Sequence, residues 1–77
     1  MVKNNQNNKS PEYQLSAQMI KSRKRLNLSQ AQLAKIVGTG QAVISRLENM
    51  NANPSFPLVK KIASALGTDF TITIPAT

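Results

Sequence analysis

Between Gly40 and Asn51 the chain reads GQAVISRLENMN, and this stretch holds the residues best suited to reading a chemical surface. If it is a helix, advancing about 100° per residue, then Val43, Ile44 and Leu47 fall on one side and Gln41, Ala42, Ser45, Arg46 and Asn49 on the other. The outer side is polar yet nearly uncharged. An ordinary solvated helix face tends to carry Glu and Lys pairs three or four residues apart. This one offers an amide, a methyl, a hydroxyl and a guanidinium, the groups that recognise base edges in a DNA groove. A plain exposed surface is the alternative reading of the same pattern.

Composition narrows the chemistry further. Ten Lys and Arg against three acids give a net charge of +7 over 77 residues, a density that favours a polyanionic partner, either nucleic acid or an acidic membrane surface. There is no Cys and no His, so disulfides and the usual zinc, copper and haem ligands are missing, and no cofactor is expected. With Glu12, Glu48 and Asp69 as the acids, neither a Ser/His/Asp triad nor a metal-activated water can be assembled, and an enzyme is not expected. GTGQAV begins like a dinucleotide loop, but Val43 stands where the third glycine belongs and no strand precedes it, so it reads as a turn. No stretch is apolar enough to span a bilayer, and the N-terminus lacks the apolar run of a secretion signal. No membrane partner and a cytoplasmic setting are expected.

The elements that position these residues are mostly helical. The opening MVKNNQNNKS is rich in Asn, Gln and Lys, and residues 1–9 are expected to be a disordered tail. A first helix starts near Ser10, with Pro11 at its first position and Glu12 in the positive first turn. Leu15, Met19 and Arg23 lie on one stripe of it, and Asn27 ends it. Ser29 and Gln32 have the spacing of a capping box for a second helix, with Leu28 and Leu33 as its hydrophobic staple. Its buried stripe is Leu33, Ala34 and Val37, and Gly38 breaks it. The third helix covers roughly Gln41 to Asn49. NANPS is a connecting turn, and a fourth helix from about Ser55 is expected to bury Phe56, Val59, Ile62, Ala63 and Leu66 before Gly67 stops it. Then Phe70, Ile72 and Ile74 alternate with Thr71 and Thr73, the period of a half-buried β-strand.

Two short helices joined by a tight glycine turn, LSQAQLAKIVGTGQAVISRLEN, resemble the helix-turn-helix of the Cro/CI or Xre family of bacterial and phage repressors. The likeness runs from about Leu15 to Leu66 and includes LSQAQLA, Gly38, ISRLEN and NPSF. It implies a mainly α, lambda-repressor-like domain of four to five helices over residues 10–67, and DNA binding. It places the third helix in the major groove, with Gln41, Ala42, Ser45 and Arg46 as base-facing positions. Arg46 then suits guanine, Gln41 adenine and Ala42 a thymine methyl. The start of the second helix lies over the sugar-phosphate backbone in this family, which suits Gln30, and Asn49 and Asn51 are further phosphate positions, although Asn51 replaces a cation common there. Glu48 matches a carboxylate that pairs with an arginine of the first helix, here Arg23. Two departures from the family pattern stand out: Gly40 replaces the usual Ser or Thr cap, and Met50 the usual Gly.

A lone strand over residues 68–77 needs a partner, and the chain offers no second strand. The expected solution is a homodimer in which two such strands form an intersubunit antiparallel sheet about a twofold axis, turning Phe70, Ile72 and Ile74 onto the helices. A dimer also suits an inverted-repeat operator, because one recognition helix covers only a few base pairs. A short basic domain ending in such a strand resembles HipB-type antitoxins, which repress their own operon and bind a kinase-like toxin. A HigA-like antitoxin paired with a ribonuclease toxin is a related possibility. The alternatives are a stand-alone phage or bacterial Xre regulator and a protein-interaction module without DNA binding.

Overall fold

The computed structural model describes residues 10–76, and the tail expected over residues 1–9 lies outside them, as does Thr77. Four helices follow one another: α1 (Pro11–Arg25), α2 (Gln30–Val37), α3 (Gln41–Glu48) and α4 (Phe56–Leu66). Three of the four starts share one local cause. Ser10, Ser29 and Ser55 are extended N-caps whose hydroxyls accept from the N–H groups of Tyr13, Gln32 and Leu58. Each bond satisfies a donor that a helix leaves unpaired in its first turn. At Ser29 the box closes from both sides, because Ser29 N–H donates to Gln32 Oε1 at 2.8 Å. Gly40 caps α3 with no side-chain bond.

Each helix is followed closely by a residue with left-handed backbone: Asn27 (φ 57°), Gly38 (84°), Met50 (62°) and Gly67 (62°). Bonds from Leu28 N–H to Arg23 C=O, Asn51 N–H to Arg46 C=O and Thr68 N–H to Ala63 C=O take up the last-turn carbonyls in the manner of a Schellman motif. Glycine adopts this conformation freely and Asn tolerates it, but the Cβ of Met50 crowds the following carbonyl. Met50 is also 41% exposed, so little packing is lost when it is truncated. Met50→Gly is therefore expected to raise the unfolding free energy by about 0.5 to 1 kcal/mol, relief of strain outweighing the extra freedom of glycine in the unfolded chain. The urea midpoint measures this, and an unchanged or lower midpoint refutes it.

Leu15 and Met19 of α1, Leu33, Ala34 and Val37 of α2, Ile44 and Leu47 of α3, and Ile62 and Leu66 of α4 form one buried cluster. Helices α1 and α2 each pack against both α3 and α4, so α3 is held from two directions while its polar side stays open. The apolar stripe on α4 is shorter than its periodicity suggests. Val59 and Ala63 are half-buried, and Phe56, expected inside, is 81% exposed. Phe56 is the first residue of α4, and helical side chains lean toward the N-terminus. Its ring therefore projects past the end of the helix instead of onto the core.

The C-terminal segment corrects the sequence reading. Residues 68–76 form no strand in the single chain, yet part of their backbone is paired by side chains of α1. Thr71 N–H donates to Gln18 Oε1 at 2.9 Å, and Thr71 C=O accepts from Gln18 Nε2 at 2.8 Å. Thr73 repeats the arrangement with Gln14, at 2.6 and 2.8 Å. The spacing explains the match: four residues of helix rise about 6 Å, and two residues of extended chain cover about 6.6 Å. Phe70 and Ile72 lie half-buried against the core, while Ile74 is 73% exposed.

Candidate nucleic-acid interface

The outer side of α3 presents Gln41, Ala42 and Arg46 exposed to solvent, with Ser45 half-buried between the two faces. Their positions within Gln41–Glu48 put Gln41 and Ser45 one turn apart, and Ala42 and Arg46 likewise. None of these side chains has a hydrogen bond within the described protein, so their donors and acceptors are available to a partner. Asn49 is the C-cap of α3 and Asn51 follows in the turn, both exposed. Gln30, at the first position of α2, is in a different state. Its Nε2 donates to Glu48 Oε1 at 3.0 Å, which commits one of its two amide hydrogens inside the protein.

Glu48 is what fixes this helix. Its Oε2 accepts from Arg23 Nε at 2.7 Å and its Oε1 from Arg23 Nη2 at 2.9 Å, a two-pronged pair with both side chains largely buried. Arg23 Nη1 reaches on to Leu28 C=O at 2.8 Å, tying the same guanidinium to the connection between α1 and α2. The main chain of Glu48 is bound too, since Ser16 Oγ–H donates to its carbonyl. One residue at the end of α3 is thereby joined to α1 twice and to α2 once. The Arg23 pKa lies above its already high ordinary value, raised by the hydrogen bond to Glu48 and by the carboxylate charge, against an opposing effect of burial. Because the folded-state value is raised, the arginine keeps its charge throughout the ordinary pH range, and its side of the pair is lost as pH climbs through that high value.

Ser16, which ties down the end of α3, and Gln14 and Gln18, which hold the C-terminal segment, escape a reading of the sequence by periodicity. Ser16 is a buried polar residue beside Leu15, and its only sequence signal is its place next to the apolar stripe.

A helix-turn-helix family model matches residues 19–72, a span that takes in α2, the glycine turn, α3 and the whole of α4. The chain belongs to the Cro/CI-type helix-turn-helix family. The helix-turn-helix proper is α2 and α3, and the domain around it is DNA-binding and regulatory in kind. No curated protein and no solved structure gives a significant match to the chain. No helix among the described residues is long and apolar enough to cross a membrane.

Proposed function

We propose that the protein is a sequence-specific transcriptional repressor that binds an inverted-repeat operator as a homodimer in the cytoplasm, without catalysis. The observation that carries this reading is the face of α3: the side chains of Gln41, Ala42 and Arg46 are exposed, without hydrogen bonds among the described residues, and borne on a helix whose end is anchored through Glu48. A two-pronged Arg46 contact suits guanine and Gln41 suits adenine, while Ser45 bonds either and Ala42 meets a thymine methyl. Gln30, Asn49 and Asn51 serve as phosphate contacts that set register. The excess of seven positive charges supplies the sequence-independent attraction. Two copies joined through residues 68–77, by way of Phe70, Ile72 and Ile74, present two such helices to half-sites about one helical turn apart.

Selection from random duplexes by the full chain tests this. Enrichment of a palindromic site is expected. Binding that falls steeply with salt and prefers no sequence would instead indicate a nonspecific architectural protein, and absence of binding an interaction module.

Within this reading, the protein is the antitoxin of a type II toxin-antitoxin operon that it autorepresses, HipB-like and paired with a HipA-like kinase, or else paired with a HigB-like ribonuclease. The short domain with an extension past α4 supports that role. Co-purification with the product of the neighbouring gene, abolished when that product is deleted, tests it.

A further inference from the structure

The two glutamines of α1 settle which edge of the C-terminal segment is open. Each side-chain amide makes the pair of bonds that an opposing strand residue would make, its oxygen accepting the N–H and its nitrogen donating to the C=O of one residue. Gln14 and Gln18 therefore stand in for a strand on the edge formed by Thr71 and Thr73. In extended chain the groups of alternate residues point to the opposite edge. No hydrogen bond within the described protein engages the backbone of Phe70, Ile72 or Ile74. One edge of the ribbon is capped, and the other is bare.

Beside that ribbon lies an apolar groove of about 210 Å³, lined by Pro11, Pro54, Phe56, Val59, Ile72 and Ile74 among others. It holds the two most exposed large apolar side chains among the described residues, Phe56 at 81% and Ile74 at 73%. Glu12 is its only charged lining residue. In a chain carrying +7, a surface free of Lys and Arg is where two copies can approach with least repulsion, and it offers nothing to a polyanion.

We infer that the bare edge of Phe70, Ile72 and Ile74 pairs with the same edge of a second copy about a twofold axis at Ile72, with Gln14 and Gln18 as positioning residues that hold each ribbon straight for it. The inference rests on the dimer seam proposed above and gives it a register and two positioning residues. Ile72 faces Ile72 of the second copy and Phe70 faces Ile74, so each exposed donor and acceptor of the edge finds a partner. The neighbouring registers are poorer. An axis at Thr71 sets Ile74 against Thr68, whose N–H is already bound to Ala63 C=O. An axis at Thr73 sets Phe70 against Ala76, which is already engaged. Thr71 then lies opposite Thr73 of the second copy as a non-hydrogen-bonded pair, the kind whose side chains come closest.

The chain has no cysteine, and Thr71 and Thr73 are exposed, so the register can be read by disulfide trapping in the full-length protein. A mixture of Thr71→Cys and Thr73→Cys chains is expected to form a linked dimer under mild oxidation, and either variant alone is expected to give at least about tenfold less. Efficient linkage of one variant by itself overturns the register. No linkage in the mixture, in a protein that sediments as a dimer, overturns the seam while leaving the operator-reading dimer intact. A protein that sediments as a monomer overturns the seam as well, and duplex selection then decides independently whether DNA reading survives. For the glutamines, Gln14→Met with Gln18→Met keeps length and removes the amides. The dimer dissociation constant is expected to rise about tenfold or more with helical circular dichroism unchanged; an unchanged constant overturns their positioning role.

Discussion

Glu48→Ala is expected to lower the unfolding free energy by about 3 kcal/mol, the cost of leaving a largely buried charge without its partner. Three donated hydrogen bonds end on this carboxylate, from Arg23 Nε, Arg23 Nη2 and Gln30 Nε2, and nothing else among the described residues is in place to receive them. The pair is not itself a large net source of stability, since desolvation of both ions offsets much of their attraction. The asymmetry lies in breaking it. Arg23 would keep its bond to Leu28 C=O but would hold an uncompensated positive charge against the core. For a domain of this size, the loss corresponds to a fall in melting temperature of about 12 to 24 °C. Glu48→Gln is the informative companion, because it retains an oxygen acceptor and shape while removing the charge, and it should fall between wild type and alanine. The bond from Ser16 goes to the main-chain carbonyl and survives in both variants, so the comparison isolates the carboxylate. A Glu48→Ala protein that melts within a few degrees of wild type would show that the pair can be dispensed with.

The same residue shows what the sequence makes legible and what it conceals. Arg23 shares a helical stripe with Leu15 and Met19, and that periodicity alone aims its side chain at the core, where Glu48 meets it. The helix limits are equally local. Ser10, Ser29 and Ser55 act on backbone groups three residues away, and Asn27, Gly38 and Gly67 turn the chain by their own conformational preferences, so such signals sit within a few adjacent letters. Phe56 was hidden for a different reason. Periodicity identifies residues that share a face, but it does not say where along that face the neighbouring helices stop, and Phe56 stands beyond that point. The C-terminal segment was hidden by sequence distance. Its alternation suggests a strand, and the single chain forms none there; the groups that satisfy Thr71 and Thr73 come from residues 53 and 59 positions earlier. They are glutamine side chains, which no strand propensity would reveal. A pair of long amides four apart on a helix, set against a segment of period two, is the signal that would have found them.

Arg46→Ala is expected to weaken binding to the selected operator by about 1 to 3 kcal/mol per half-site, roughly 5- to 150-fold, and to relax specificity at one base pair of that half-site. Arg46 is exposed on α3, and its side chain has no hydrogen-bond partner among the described residues, so its removal leaves the fold undisturbed and the effect belongs to the complex. Two-pronged recognition of guanine depends on the planar fork of the guanidinium and not only on its charge. Arg46→Lys should therefore recover the electrostatic part of the affinity while restoring little discrimination. The rival account places Arg46 on a phosphate. It predicts a different signature: affinity for every duplex falls together, the salt slope drops by about one for each subunit, and lysine rescues nearly all of the loss. Titrating both variants against the operator and a set of single-base substitutions, at two salt concentrations, separates the two accounts. If the alanine variant weakens all duplexes equally, Arg46 is a backbone contact, and base reading by α3 falls to Gln41, Ala42 and Ser45.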